Sequence, residues 1–140
     1  MRSIVPWSLV LTLAVTACAG TSADTTSAPP SALIGTWGGE HAGLVATSTG
    51  GTMEYDCAAG RISGPLLPGS DGRFAVSGTH TPGHGGPVRI DEVLASRPAR
   101  YNGRVDGDLL ELTVVMTDSN AVVGTFTLTR GRSPHVVKCL

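Results

Sequence analysis

The stretch RVDGDLLELTVVMTDSNAVVGTFTLTRG, residues 104–131, decides the fold. In its first half Leu110, Leu112, Val114 and Met116 alternate with Glu111, Thr113 and Val115. In its second half Val122, Gly124, Phe126, Leu128 and Arg130 alternate with Val123, Thr125, Thr127 and Thr129. A period of two sends successive side chains to opposite faces of a strand, so each run has a face for a core and a face for solvent. Asp106-Gly107, just before the first run, is a two-residue hairpin signal, because glycine readily takes the backbone conformation that tight hairpins need.

The same habit continues towards the N-terminus. GLVATSTGGTMEYDC, residues 43–57, reads as a hairpin joined at Gly50-Gly51, with Met53, Tyr55 and Cys57 facing one way and Glu54 and Asp56 the other. GRFAVSGTHT, residues 72–81, aligns Phe74, Val76 and Gly78. PVRIDEVLAS, residues 87–96, would align Val88, Ile90 and Leu94, and Tyr101 with Val105 begins another run. A short strand over Leu33–Trp37 and a last one over Val136–Leu140 bring the total to about eight or nine. No window has helical spacing. Short sequential strands joined by tight turns predict an all-β domain, a small antiparallel up-and-down β-barrel of about eight strands, because closure removes exposed edges. Gly78, Gly103 and Gly124 interrupt otherwise good strands, as bends or close backbone approaches require.

The chain begins with Arg2, an apolar run from Ile4 to Val15 and small residues up to Cys18, the pattern of a secretory leader too short to span a bilayer. Val15-Thr16-Ala17-Cys18 resembles the bacterial lipobox. That resemblance implies cleavage before Cys18 and acylation of its sulfur, with palmitate-like chains that hold the protein on the membrane. Residues 1–17 are then the lipoprotein signal peptide. Residues 18–32 are the acylated cysteine and a Ser/Thr/Pro-rich tether, and residues 33–140 are the barrel domain. Ala19 rather than aspartate after the cysteine favours the outer membrane in a host that has two. The remaining cysteines, Cys57 and Cys139, are expected to form one disulfide in an exported chain. Without Arg2 and its leader, nine of the ten basic side chains face eleven acidic ones, and no basic run with interleaved aromatics suggests nucleic acid.

Gly35-Thr36-Trp37 at the first strand resembles the G-x-W motif of the lipocalins and wider calycins. In those barrels the tryptophan closes one end and packs against an arginine of the last strand, a role the resemblance gives to Arg130. A second resemblance is to the lipoprotein inhibitors of C-type lysozyme, carried by MEYDCAAG, residues 53–60, ASRPARYNG, residues 95–103, and the cysteine near the C-terminus. It implies an inhibitory segment inserted into the lysozyme cleft, with Ser96, Arg100 and Tyr101 as its residues. Arg97-Pro98 and the strand preceding Tyr55 depart from that family's pattern.

Chemistry is sparse. His80 and His84 lie four apart, but Pro82 and the surrounding glycines exclude the helix that would aim both at one metal. His41 and His135 add no ligand spacing. Glu92 shares the face of Ile90 and Leu94 if that run is a strand, which would bury a carboxylate, whereas a bulge or strand end there would return it to solvent. No nucleophile elbow, phosphate loop or dinucleotide fingerprint is present. The expectation is a non-enzyme with no cofactor and no metal, bound to the membrane through its lipid. Three roles are open: holding a small apolar ligand inside the barrel, inhibiting a hydrolase such as lysozyme or a protease through loops, or serving as a solid structural barrel.

Overall fold

The computed structural model describes residues 29–87 and 89–140, so the expected leader and the acylation of Cys18 lie outside the described residues. Eight strands form one closed antiparallel barrel in sequence order: β1 (Gly35–Gly38), β2 (Ala42–Thr47), β3 (Gly50–Tyr55), β4 (Ala58–Ile62), β5 (Arg73–Pro82), β6 (Arg97–Asp106), β7 (Leu109–Met116) and β8 (Val122–Arg130). Every neighbour pair is antiparallel, and β8 closes on β1 through Trp37 opposite Arg130 and Gly38 opposite Thr129. This is the up-and-down barrel the alternation predicts. Among the described residues there is no helix.

The register sets the interior. Leu44 lies opposite Met53, Tyr101 opposite Val114, Leu110 opposite Leu128 and Leu112 opposite Phe126. Paired residues share a face, so these inward sets merge into one core. Trp37, Leu44, Met53, Leu66, Tyr101, Leu110, Leu112, Val114 and Leu128 each expose less than 2 % of their surface. These side chains occupy the middle of the barrel, where the apolar ligand considered from the sequence would have to sit.

Three expectations about the strands are corrected. The run at residues 87–96 is not a strand. Strands β5 and β6, which flank it, already pair with each other from Arg73–Arg104 to His80–Arg97, leaving no edge for it to join. In its place a strand was missed over Ala58–Ile62, where Ala58 and Gly60 face inward and give no large apolar signal. They are small because the interior there is occupied: a Cβ on Gly60 would sit 2.0 Å from the Tyr101 hydroxyl. Gly103 is constrained alike, with the Phe74 ring 2.2 Å from where its Cβ would be, so a mid-strand glycine makes room for a ring.

The last expected strand, Val136–Leu140, is instead part of a strap. From Arg130 the chain returns along the outside of β1 and β2, where Pro134 lies over Gly38 and Gly43, and makes a single parallel bridge from His135 to Glu40. Gly131 N–H donates to Thr36 O, His135 N–H to Gly39 O and His41 N–H to His135 O at 2.7–3.0 Å. Two turns also shift. Ser48-Thr49 rather than Gly50-Gly51 joins β2 to β3, and Gly107-Asp108 joins β6 to β7, with Gly107 at φ 57°.

Candidate functional site

The ends of the barrel differ, and each places residues singled out from the sequence. At one end Trp37 is 1 % exposed, and the Arg130 guanidinium carbon lies 4.2 Å from the centre of its ring. The guanidinium also donates to Ile34 O at 3.1 Å and faces Asp108 at 3.3 Å. Leu33 and the fully buried Leu66 close the space beside the indole, and the Leu33 N–H donates to Leu66 O at 2.8 Å. A cation over an aromatic face is held by the ring quadrupole, and planar Arg can bond backbone at the same time. The buried indole and the guanidinium over it together plug this end.

The other end carries the disulfide. Cys57 and Cys139 are bonded, tying the strap to the β3–β4 turn. Cys57 sits at φ 54° in that two-residue turn, its N–H donating to Val137 O. Asp56 beside it accepts from the Val137 N–H at 2.7 Å and from His41 at 2.5 Å. These bonds, the backbone one foremost, hold its carboxyl below the usual aspartate range.

Inside this mouth His80, Tyr55 and Phe126 stack, with ring centroids 5.5 Å and 5.4 Å apart. The Tyr55 hydroxyl and His80 Nδ1 share a hydrogen bond at 2.6 Å. Burial pushes the phenol up and the imidazole down, the latter helped by the charge of Arg97, so both rings are neutral partners.

Above the mouth runs the longest connection between strands, residues 83–96. Thr81 Oγ1 and Ser96 Oγ, 2.6 Å apart, close its base. Across it His84 Nε2 lies 2.6 Å from Glu92, whose other oxygen accepts from the Arg89 N–H at 3.3 Å. The Gly85 carbonyl first, and Glu92 second, push the His84 imidazole up. Glu92 thus lies outside the barrel, where the absence of a strand returns it to the surface, and it braces a loop. His80 and His84 part company, one in the stack and one in the brace. Among the described residues no group of three or more His, Cys, Asp or Glu is placed to hold a metal.

At the crest of the loop Ile90 and Val93 are fully exposed, at 109 % and 92 %. Below it a hollow of about 240 Å³ is lined by Tyr55, Ala58, Thr81, His84, Leu94 and the disulfide. The residues implied by the lysozyme-inhibitor resemblance do not come together. Ser96 ends the loop, Arg100 points outward from β6, and Tyr101 is wholly buried with its hydroxyl donating to Thr79 O at 2.7 Å. Strand alternation separates Arg100 from Tyr101, so an inhibitory segment of these three is corrected to one exposed loop residue, one outward arginine and one core tyrosine.

Sequence reasoning named Ile90 but as a core residue, and missed Val93, Tyr55 and Phe126 as neighbours. Only the glycine and proline density around residues 82–87 could have marked a long loop there. No family model, curated protein or solved structure matches the chain.

Proposed function

We propose that this chain is a lipid-anchored, non-catalytic protein of the cell envelope that binds a protein partner through the loop 83–96. The observation that carries the reading is Ile90 and Val93, two branched apolar side chains displayed on a loop braced by His84–Glu92 and seated beside the disulfide. Isolated exposed apolar residues are ordinary, but two at the crest of one braced loop form a compact anchor of the kind that inserts into a partner's cleft. Bracing lowers the ordering cost of binding. The hollow beneath could receive a small apolar group from the partner.

A hydrolase is the partner class that fits best, since a protruding loop complements a concave active site. The tether enters at the Trp37 end, so the loop would face away from the membrane. A small apolar ligand inside the barrel has less support, because side chains fill the middle. The test is inhibition of a C-type lysozyme and a panel of serine proteases by the mature domain. An Ile90→Ser/Val93→Ser variant should lose inhibition by at least tenfold. Equal inhibition by the variant, or none by the parent, would overturn the loop reading.

A further inference from the structure

The register gathers arginines that the sequence scatters. Arg61 on β4, Arg73 on β5, and Arg100 and Arg104 on β6 all point outward and are exposed. Between them lie only small uncharged outward residues, Ala75, Ser77, Thr79 and Asn102. Arg61, Arg100 and Arg104 form no ion pair among the described residues, whereas Arg97, Arg130, Arg132 and Lys138 are each paired. Arg73, paired at 3.7 Å with Asp71, stands directly opposite Arg104 across β5–β6. Like charges directly opposite destabilise a sheet, so folding does not account for the arrangement. Acids lie only around the row's border: Glu111 on β7 opposite Arg104, Asp106 next along β6, Asp71 beside Arg73, and Glu54 on β3 diagonal to Arg61. A hollow of about 400 Å³ is lined by Arg73, Asn102, Arg104, Glu111 and Thr113, with Phe74 and Gly103 beneath.

From this face we infer a docking surface for the anionic phospholipid headgroups of the membrane to which the chain is tethered, an inference that rests on the envelope reading above. Two features select the bilayer. The chain enters the barrel where Leu33 bonds Leu66, at the end where β5 starts and β6 finishes, so Arg73 and Arg104 lie at the tether's end of the face. Residues 19–32 are short, spanning about 50 Å fully extended and about 20 Å relaxed. The outward positions of the face are also cationic and small and carry no aromatic side chain, which suits phosphate better than stacked bases.

The test uses the chain from residue 18 with Cys18→Ser, which keeps the whole buried core, Leu33 to Leu128. It is sedimented with vesicles of phosphatidylcholine alone or with one third phosphatidylglycerol. Binding is expected only to the anionic vesicles, falling steeply with salt. Each surface arginine contributes about fivefold, so R61Q/R100Q/R104Q should bind about a hundredfold more weakly. R61K/R100K/R104K should retain binding, because a bilayer reads charge rather than the guanidinium fork. Arg132→Gln, which removes a cation paired with Glu40 where the strap crosses β1, should change binding less than twofold. Circular dichroism confirms that each variant is folded.

Equal binding to neutral vesicles, or an unweakened glutamine variant, overturns the inference. So does arginine-dependent binding to an oligonucleotide with none to vesicles, which would assign the face to nucleic acid. Acylation of Cys18 is read separately by fatty-acid labelling of the full chain in a bacterial host, so failure of the anchor and failure of the face are distinguishable.

Discussion

The two ends of this barrel are closed by opposite means. At the Trp37 end an indole, an arginine and two leucines fill the opening by shape, and nothing covalent is needed. At the disulfide end the interior is polar and aromatic, the rings are half-open to solvent at His80 and Phe126, and a covalent bond holds the rim. An end that must carry a protruding loop cannot also be packed shut over its mouth. The disulfide supplies there the order that close packing supplies at the other end.

If that contrast is right, removing the bond should have the largest effect. Cys57 and Cys139 are separated by 82 residues, and closing such a loop stabilises by about 4 to 5 kcal/mol on the chain-entropy account. Cys57→Ser/Cys139→Ser should lower the urea midpoint accordingly while leaving Trp37 emission blue-shifted below the transition. Early red-shifting of that emission would show that the two ends are not held independently.

Trp37→Ala should cost about 3 to 5 kcal/mol by the same measurement, as core aromatic truncations do. Arg130→Ala should cost less, and the double variant less than the sum, because the two share one contact. Additive losses would mean that the guanidinium over the ring contributes nothing. Among the described residues the Trp37 Nε1–H is buried without an acceptor, so Trp37→Phe should be milder than a cavity of its size implies.

Gly60→Ala tests the interior between the ends. Its Cβ would collide with the Tyr101 hydroxyl, and overpacking of this kind costs about 1 to 3 kcal/mol. Gly60→Ala/Tyr101→Phe should recover part of that loss in thermal unfolding.

The smallest effect separates the loop brace from the ring stack by pH. Burial lowers His80, so the fold favours its neutral form. That contribution is full above the ordinary value of 6.5 and fades as pH falls through the lower folded value. The Gly85 carbonyl and Glu92 raise His84, so its contribution is full below 6.5 and fades as pH rises through the higher folded value. Imidazole proton shifts followed by NMR should give midpoints on either side of 6.5. Coincident midpoints would deny the two histidines different surroundings.

Much of the barrel was legible because its longest strands pair large apolar side chains with threonine and charge, as in Leu110–Met116. Ala58–Ile62 was not, because its inward positions are small where neighbouring tyrosines are large. Residues 87–96 misled for the converse reason: local alternation says nothing about whether a partner edge is free. The Cys57–Cys139 bond could be anticipated from the cysteine count of a chain expected to be exported, and Arg130 over Trp37 through the resemblance of Gly35-Thr36-Trp37 to the G-x-W motif. The basic face could not, since its arginines come from three strands and meet only through cross-strand register. The loop's exposed pair was equally hidden, because Ile90 and Val93 read as core until the fold denies them one.

The strap also bears on how this barrel can come apart. Hydrogen bonds hold its first part to β1 and the β1–β2 turn, and the Cys57–Cys139 bond ties its later part to the β3–β4 turn. β8 meets β1 through two register pairs, Trp37 with Arg130 and Gly38 with Thr129, the shortest ladder in the barrel. A protease that needs an extended segment would gain one most readily where that short seam parts, and a strap stitched on both sides keeps such partings brief.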